Sequence, residues 1–172
     1  MIPKIQLALD CLCTEDAIKV LASGVADEVD IVECGYCMIA REGARVVKYF
    51  REMLPNKQLL ADLKIVDAGN AIGGALLDGR PDHTTILCAC EPGTIDAVIE
   101  EREKRNLDTK LQIELYGHWS FDDIPMAAPI LIPYAVYPFD ILNPTMVNIF
   151  SGSLPNFLKN FLLAISSFTK SI

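Results

Sequence analysis

Residues 60–69 read Leu60-Ala61-Asp62-Leu63-Lys64-Ile65-Val66-Asp67-Ala68-Gly69, an apolar strand that ends in a turn marked by glycine. Side chains two apart along a strand share a face, so Asp62 and Lys64 point the same way, and Asp67 falls where the strand gives way to a loop. Charged groups inside an apolar strand are rarely buried without a partner or a chemical task. The apolar neighbours favour a parallel strand buried on both faces over an edge strand whose charges face water.

The same pattern of a short apolar strand followed by a helix recurs along the first two thirds of the chain. Strands are predicted to begin near residues 4, 29, 58, 84 and 110, and helices are predicted over about 42–53, 71–77 and 94–104, among others. Parallel strands joined by right-handed crossover helices produce this spacing. We therefore predict an α/β fold with five successive βα units in a curved sheet, the last unit lacking its usual helix.

Acidic side chains stand at the carboxyl ends of these strands. They are Asp10, Glu33, Asp62 with Lys64 beside it, and Glu114. In a (β/α)₈ barrel the carboxyl ends of the strands converge on one mouth, where active sites lie. In an open doubly wound sheet they would spread along one edge, and only neighbours at a switch point would meet. The placement of charge therefore favours a partial (β/α)₈ TIM barrel.

The βα pattern stops near residue 122. From Pro125 onward the chain holds six of its ten prolines but three charged residues, and prolines interrupt the segment where a fifth helix belongs. A full barrel rarely fits in fewer than about 200 residues. We therefore divide the chain into 1–122, the N-terminal part of a TIM-barrel domain, and 123–172, an irregular Pro- and Phe-rich tail. A truncated or frame-shifted gene product would show this break.

Charge and composition exclude several classes of partner. The net charge is −8 and no basic stripe occurs, so nucleic acids and anionic membranes are not expected partners. The sequence shows no run of about 18 uninterrupted apolar residues, which argues against a membrane span. The first residues do not have the apolar region of a secretory signal, so the expected location is the cytoplasm.

Six cysteines form C-x-C, C-x-x-C and C-x-C pairs, at positions 11 and 13, 34 and 37, and 88 and 90. Such pairs suggest zinc binding or redox chemistry. However, each pair falls near the end of a different strand, without a closely spaced histidine, and buried thiols stay reduced in the cytosol. We therefore expect inert thiols. The run Cys34-Gly35-Tyr36-Cys37 follows a strand and is not expected to open a helix, which argues against a thioredoxin-like motif.

The charged strand ends suggest a particular chemistry. Glu33 and Asp62, from adjacent strands, supply oxygen ligands of the kind that Mg²⁺ prefers. Lys64 adds a fixed positive charge, and a metal with an ammonium group stabilises an enediolate, the anion left when a β-keto acid loses CO₂. Asp10 and Asp67 could orient sugar hydroxyls or keep Lys64 charged. The alternative is a salt-bridge cluster that only ties strand ends together.

Residues 4 to about 121 carry the motifs of a known family in the family's order. They are Leu7-Ala8-Leu9-Asp10, Val32-Glu33 followed by Arg41-Glu42-Gly43, Ala61-Asp62-Leu63-Lys64 with Asp67-Ala68-Gly69, and Gln112-Ile113-Glu114-Leu115-Tyr116-Gly117-His118-Trp119. The D-x-K-x-x-D signature resembles that of the orotidine 5'-monophosphate decarboxylase suprafamily, and the whole set resembles its 3-keto-L-gulonate 6-phosphate decarboxylase branch. The last motif discriminates, because the related hexulose-6-phosphate synthases usually have an Asp-containing run without that tryptophan.

The resemblance implies a reaction and a role for each charged residue. It implies Mg²⁺ ligands, catalytic residues and substrate contacts, which are respectively Glu33 with Asp62, Lys64 with Asp67, and Asp10 with Glu114. The implied reaction converts 3-keto-L-gulonate 6-phosphate to L-xylulose 5-phosphate and CO₂, within L-ascorbate catabolism. It also implies a homodimer, in which the residue matching Asp67 reaches the neighbouring subunit's site.

The tail departs from that family. The family's sixth strand ends in a Tyr-His-Arg run whose His and Arg help to deliver a proton, but here Ala135-Val136-Tyr137 is followed by Pro138-Phe139-Asp140. The seventh and eighth strands, whose glycine-rich ends and Arg hold the phosphate, have no counterpart. We therefore expect very low turnover. Two alternatives are an aldol lyase of the hexulose-6-phosphate synthase type and a non-catalytic remnant that acts as an interaction protein.

Overall fold

Five parallel strands alternate with helices in this chain, whose computed structural model describes residues 4–114 and the backbone of 145–149. The elements are β1 (Ile5–Leu9), α1 (Thr14–Leu21), β2 (Ile31–Cys34), α2 (Tyr36–Glu42), α3 (Arg45–Met53), β3 (Gln58–Ile65), α4 (Gly74–Leu77), β4 (His83–Leu87), α5 (Pro92–Lys104), β5 (Lys110–Glu114) and β6 (Thr145–Ile149). A 3₁₀ turn at Val25–Glu28 precedes β2, and a π-helical turn at Gly69–Gly73 precedes α4. The predicted succession of βα units is confirmed.

The strands form one sheet with the order β5-β4-β3-β2-β1-β6. Each contact among β1 to β5 is parallel. β6 pairs antiparallel with β1, from Ile149 opposite Ile5 to Thr145 opposite Leu9. This strand falls in the tail that was expected to be irregular, and its Thr, Val and Ile favour extended backbone. The predicted boundary near residue 122 and the motif from Leu115 to Trp119 lie outside the described residues.

Alternate residues of each strand face opposite sides of the sheet, and the two sides differ in chemistry. One side is apolar and packs against the helices; its strand residues are Leu7, Leu9, Val32, Cys34, Leu59, Ala61, Ile65, Ile86, Leu111 and Ile113. The other side, which we name the polar face, carries the buried polar residues Gln6, Glu33, Asp62, His83, Thr85 and Gln112. Buried polar groups need partners, so this face is where a chemical task is expected.

The Cys34-Gly35-Tyr36-Cys37 run opens a helix, and the prediction that it would not do so is wrong. Gly35 is the N-cap of α2, in extended backbone, and the residues that follow it are good helix formers. Gly43, with a φ of 87°, then separates α2 from α3, so the helix predicted over 42–53 begins at Arg45. All six cysteines are free thiols, and burial raises the pKa of Cys34 to about 12. That thiol therefore stays protonated, as expected of an inert cysteine.

Close packing of the π-helical turn against α5 explains two glycines of the segment that follows Asp67. A Cβ at Gly69 would collide with the Thr94 carbonyl oxygen, and a Cβ at Gly73 would lie 2.8 Å from Val98 Cγ2. The predicted helix over 71–77 is therefore present as this π-helical turn followed by α4. Within residues 4–114 and 145–149, none of the helices combines the length and the apolarity that crossing a membrane requires.

Truncation of Phe50 tests the packing of α3 on the sheet. Phe50 is fully buried, whereas its neighbour Tyr49 is 43% exposed. We expect Phe50→Ala to lower the free energy of unfolding by about 3–5 kcal/mol, because a large apolar side chain leaves a cavity. Tyr49→Ala, the control, should cost no more than about 1.5 kcal/mol, since it loses mainly an edge-to-face contact. Urea denaturation measures both values, and equal losses would show that α3 packs through another face.

Candidate active site

One end of the polar face gathers five charged side chains from four strands. Asp10 directly follows β1, Glu33 lies in β2, Asp62 and Lys64 lie in β3, and Glu114 ends β5. These are the carboxyl ends of parallel strands, which the fold brings to one side of the sheet. The structure therefore places five of the six predicted site residues together.

Lys64 is held between two carboxylates. Its Nζ lies 2.7 Å from Asp62 Oδ2 and 2.9 Å from Glu114 Oε1, and it stands 5.7 Å from the centroid of the Tyr36 ring. Burial alone lowers the pKa of the Lys64 ammonium, but the charges and hydrogen bonds of Asp62 and Glu114 outweigh burial and raise it above its usual value. The side chain therefore stays positively charged at any physiological pH.

β3 departs from regular pairing where it carries these groups. The register with β4 shifts between Ala61 and Ile65, and Lys64 has a φ of 51°, in the left-handed region. Its backbone N–H donates to Thr85 Oγ1 at 2.9 Å, and the Thr85 hydroxyl donates to Asp62 Oδ1 at 2.7 Å. The irregularity turns the Lys64 side chain toward the carboxylates on the polar face.

The other carboxylates of the cluster resist ionisation. Burial raises the pKa of Glu33 well above its usual value, and the negative charges of Asp62 and Asp10 add to that effect. Gln6 Nε2 donates a hydrogen bond to Glu33 Oε2, which opposes the rise. Burial, and next the charge of Asp62, also raise the pKa values of Asp10 and of Glu114. The cluster carries more acid than one ammonium group can balance.

This excess of carboxylate fits a divalent cation. Four acidic side chains surround one lysine, and Glu114 Oε2 is buried without a hydrogen-bond partner among the described residues. Carboxylate oxygens are the ligands that Mg²⁺ selects, and an added positive charge would reverse the unfavourable pKa shifts. Glu33 and Asp62 therefore suit the metal that the sequence analysis assigned to them.

Another group of ligand-type atoms lies beside α1. One atom each of Cys13, Glu15 and Glu42 falls within 4.8 Å of the others. Glu42, however, accepts hydrogen bonds from both the backbone N–H and the hydroxyl of Thr14. That carboxylate satisfies a free N–H of the first turn of α1, which is a sufficient structural role.

Gly35 provides the close approach between β1 and β2 at the site. A Cβ at this position would collide with the Leu9 carbonyl oxygen and would lie 2.5 Å from Asp10 Oδ1. The next residue, Tyr36, donates its backbone N–H to the Asp10 carboxylate, which lowers the pKa of that acid and partly offsets burial. Glycine thus lets the chain turn into α2 while the start of that helix holds Asp10.

Asp67 is the one predicted site residue that the structure leaves apart. It is exposed in the loop between β3 and the π-helical turn, and the ion pairs of the described residues do not include it. Lys64 is kept charged by Asp62 and Glu114, so the suggestion that Asp67 does this is not supported within one chain. Its predicted catalytic role remains a prediction.

Three site residues were missed by the sequence analysis. Gln6 shares the strand parity of Asp10, so its place on the polar face could have been found from period-two alternation. Thr85 and Tyr36 carry no such signal, because their contacts depend on the β3 irregularity and on the unexpected helix α2.

Comparisons with known proteins agree with this geometry. The chain matches the model of the family described as Orotidine 5'-phosphate decarboxylase / HUMPS over residues 3–135. The chain belongs to this family. It is 32% identical over 142 residues to a probable 3-keto-L-gulonate-6-phosphate decarboxylase of Haemophilus influenzae, covering 78% of this chain and 63% of that protein.

Solved structures of this family show the same architecture. The crystal structure of the Streptococcus mutans KGPDC in complex with a sugar phosphate superposes with a TM-score of 0.63 at 30% identity, covering 69% of this chain and 54% of that one. The 3-hexulose-6-phosphate synthase of Salmonella typhimurium gives a TM-score of 0.57 at 34% identity, covering 64% and 51%. The family's members are TIM-barrel proteins, so the predicted fold class is confirmed. The chain spans less than two thirds of the length of these relatives.

Replacement of Glu33 tests the electrostatic cost of the cluster. An acid whose pKa is raised by folding stabilises the protein below its unfolded pKa, and that stability is lost as the pH rises through the folded pKa. Without metal, Glu33→Gln should therefore increase the free energy of unfolding at pH 7 by about 1–3 kcal/mol.

This gain should shrink as the pH falls toward the usual glutamate pKa. Urea denaturation in EDTA between about pH 4.5 and 8 measures it, with the exposed Glu28→Gln as the control. A gain that does not change with pH would contradict the electrostatic explanation.

Proposed function

We propose that the chain carries the metal-binding and enediolate-stabilising part of a sugar-phosphate decarboxylase. The observation that carries this proposal is the permanently charged Lys64 ammonium, held between Asp62 and Glu114 at the strand ends. The chain belongs to a family whose curated relatives are named as decarboxylases, which are carbon–carbon lyases. The proposed substrate is 3-keto-L-gulonate 6-phosphate, and the products are L-xylulose 5-phosphate and CO₂.

Lys64 has a defined task in this reaction. The bond between the carboxylate carbon and its neighbour breaks, CO₂ leaves, and the electron pair moves onto the keto oxygen to give an enediolate. An ammonium group already fixed at that oxygen stabilises the developing charge without reorganising. A proton then returns to the carbon that lost CO₂. Asp10 and Glu114 are proposed to orient the hydroxyl groups of the sugar.

Glu33 and Asp62 are proposed to hold Mg²⁺. Both oxygens of Asp62 already accept one hydrogen bond, from Thr85 and from Lys64. A carboxylate oxygen has a second lone pair, so Asp62 can still bind a cation. When bound, the ion would supply positive charge for the oxygens of the substrate.

The proposed rate is low because of the sequence beyond the described strands. The chain has no arginine after Arg105 and no His-Arg run after Tyr137. Positioned acid–base groups typically contribute about 10²- to 10⁴-fold to a rate, and binding of a remote phosphate helps to position the reacting centre. Sugar-phosphate binding is supported by the Streptococcus mutans relative, which was crystallised with such a ligand.

An aldol lyase of the hexulose-6-phosphate synthase type is the second candidate. The observation that favours it is the Salmonella typhimurium synthase, which is 34% identical over the part of the chain that superposes. Stabilisation of an enediolate by Lys64 would serve both reactions. Activity toward 3-hexulose 6-phosphate, in the absence of decarboxylation, would select this candidate.

We also propose a homodimer that meets across the strand ends. Three large apolar side chains are exposed in the segments that follow β1, β2 and β3, namely Leu12 at 60%, Tyr36 at 42% and Val66 at 45%. Asp67 follows Val66 and is exposed as well. The Gly69–Gly73 turn, packed on α5, anchors this loop, so Asp67 is presented outward at little cost in conformational entropy.

Charge placed at Val66 tests the proposed interface. We expect Val66→Lys to raise the dimer dissociation constant by at least about tenfold, because a lysine would lose its hydration in an apolar contact. Met53→Lys, an apolar side chain of similar exposure at the end of α3, should leave it unchanged. Sedimentation equilibrium measures both variants. Equal dissociation constants, or a monomer at every concentration, would rule out this interface.

Product formation tests the proposed reaction. Purified protein with Mg²⁺ should release CO₂ and L-xylulose 5-phosphate at least about 10²-fold more slowly than a complete family member. EDTA and Lys64→Ala should each abolish the activity, while exposed Lys48→Ala should not change it. Turnover that survives Lys64→Ala would contradict the assigned mechanism, and no turnover above background would leave a non-catalytic protein.

A further inference from the structure

Thr85 stands alone opposite the catalytic part of β3. Ala61 pairs with Thr84 and Ile65 pairs with Ile86. The three residues from Asp62 to Lys64 therefore face the single position of Thr85, and the regular ladder of backbone hydrogen bonds cannot continue through them.

The extra residues force the Lys64 backbone into an unfavourable conformation. Its φ of 51° lies in the left-handed region, which costs a residue with a Cβ roughly 1–2 kcal/mol. A Lys64 side chain on the polar face thus requires support from the surrounding structure. The Lys64 N–H, which the ladder no longer pairs, donates to Thr85 Oγ1 at 2.9 Å.

The same hydroxyl also fixes Asp62. An amide N–H only donates and an ionised carboxylate only accepts, so the Thr85 hydroxyl accepts from Lys64 and donates to Asp62 Oδ1 at 2.7 Å. The other carboxylate oxygen, Oδ2, lies 2.7 Å from Lys64 Nζ. A closed ring of hydrogen bonds therefore joins the backbone of Lys64, Thr85, Asp62 and the ammonium of Lys64.

We propose that Thr85 is a positioning residue that sets the geometry between the Asp62 carboxylate and Lys64. This inference rests on the proposed function, because it gives the two groups a common support. Thr85 is only 6% exposed, and its branched Cβ restricts χ1, so its hydroxyl is held in place. Groups that orient reacting or metal-binding side chains typically contribute about 10- to 100-fold to activity or metal affinity.

The adjacent threonine provides a matched control. Thr84 is fully buried and also donates its hydroxyl to β3, but the acceptor is the backbone carbonyl of Ala61, at 3.0 Å. Replacing either threonine by valine removes one buried hydroxyl from the same strand. A role limited to satisfying buried polar groups predicts similar effects for both replacements, whereas positioning predicts an effect at Thr85 alone.

Hydrogen exchange of the Lys64 amide tests the contact without any need for activity. In Thr85→Val this amide loses its acceptor, and we expect its exchange to accelerate at least about tenfold relative to a core amide such as Val32. Thr85→Ser should restore protection, and Thr84→Val should leave the Lys64 amide as in the wild type. Equal protection of Lys64 in Thr85→Val and Thr84→Val would overturn the inference.

Kinetics tests the consequence for the reaction. Thr85→Val should lower kcat about 10- to 100-fold with KM within about threefold, Thr85→Ser should recover most of the activity, and Thr84→Val should match the wild type. A Thr85→Val enzyme as active as Thr84→Val would overturn the positioning role. If the wild type itself shows no turnover, the proposed function fails, and the exchange rates alone decide whether Thr85 supports Lys64.

Discussion

Parallel pairing of β1 to β5 is the constraint on which the rest of the structure depends. The register places Ala8 beside Glu33, Glu33 beside Leu60, and Leu60 beside His83. Two residues further along the strands, the same register brings Asp10 beside Gly35, and Gly35 beside Asp62. The position between the two acids is thus the one without a side chain, which leaves room there for a cation or a substrate.

The charged cluster is built at the expense of stability. Helices cover only the apolar side of the sheet, so the acids on the polar face lose hydration without gaining enough positive charge. Lys64 balances part of this charge, and the raised pKa values of Asp10, Glu33 and Glu114 show what remains unbalanced. A protein tolerates such a cluster when the unbalanced charge serves a ligand, as stability and activity commonly oppose each other.

Much of the fold was accessible from the sequence, because apolar periodicity and strand-end acids are local signals. They located five strands and placed Asp10, Glu33, Asp62, Lys64 and Glu114 at one end of the sheet. Helix α2 was missed because Gly35 suggested a turn and not a helix cap. The contacts of Thr85 could not be found, since they arise from a register shift between two strands. Asp67 was assigned from a resemblance, and one chain by itself gives it no partner among the described residues.

The pairing of β6 with β1 has a consequence for how the chain folds during synthesis. More than 130 residues separate Leu9 from its partner Thr145, so the ribosome makes β1 early and its antiparallel neighbour much later. At about 5–20 residues per second, the outer edge of β1 waits for several seconds or longer without this partner. An unpaired edge is where nascent chains associate wrongly, so the yield of folded protein should depend on chaperones and on translation speed.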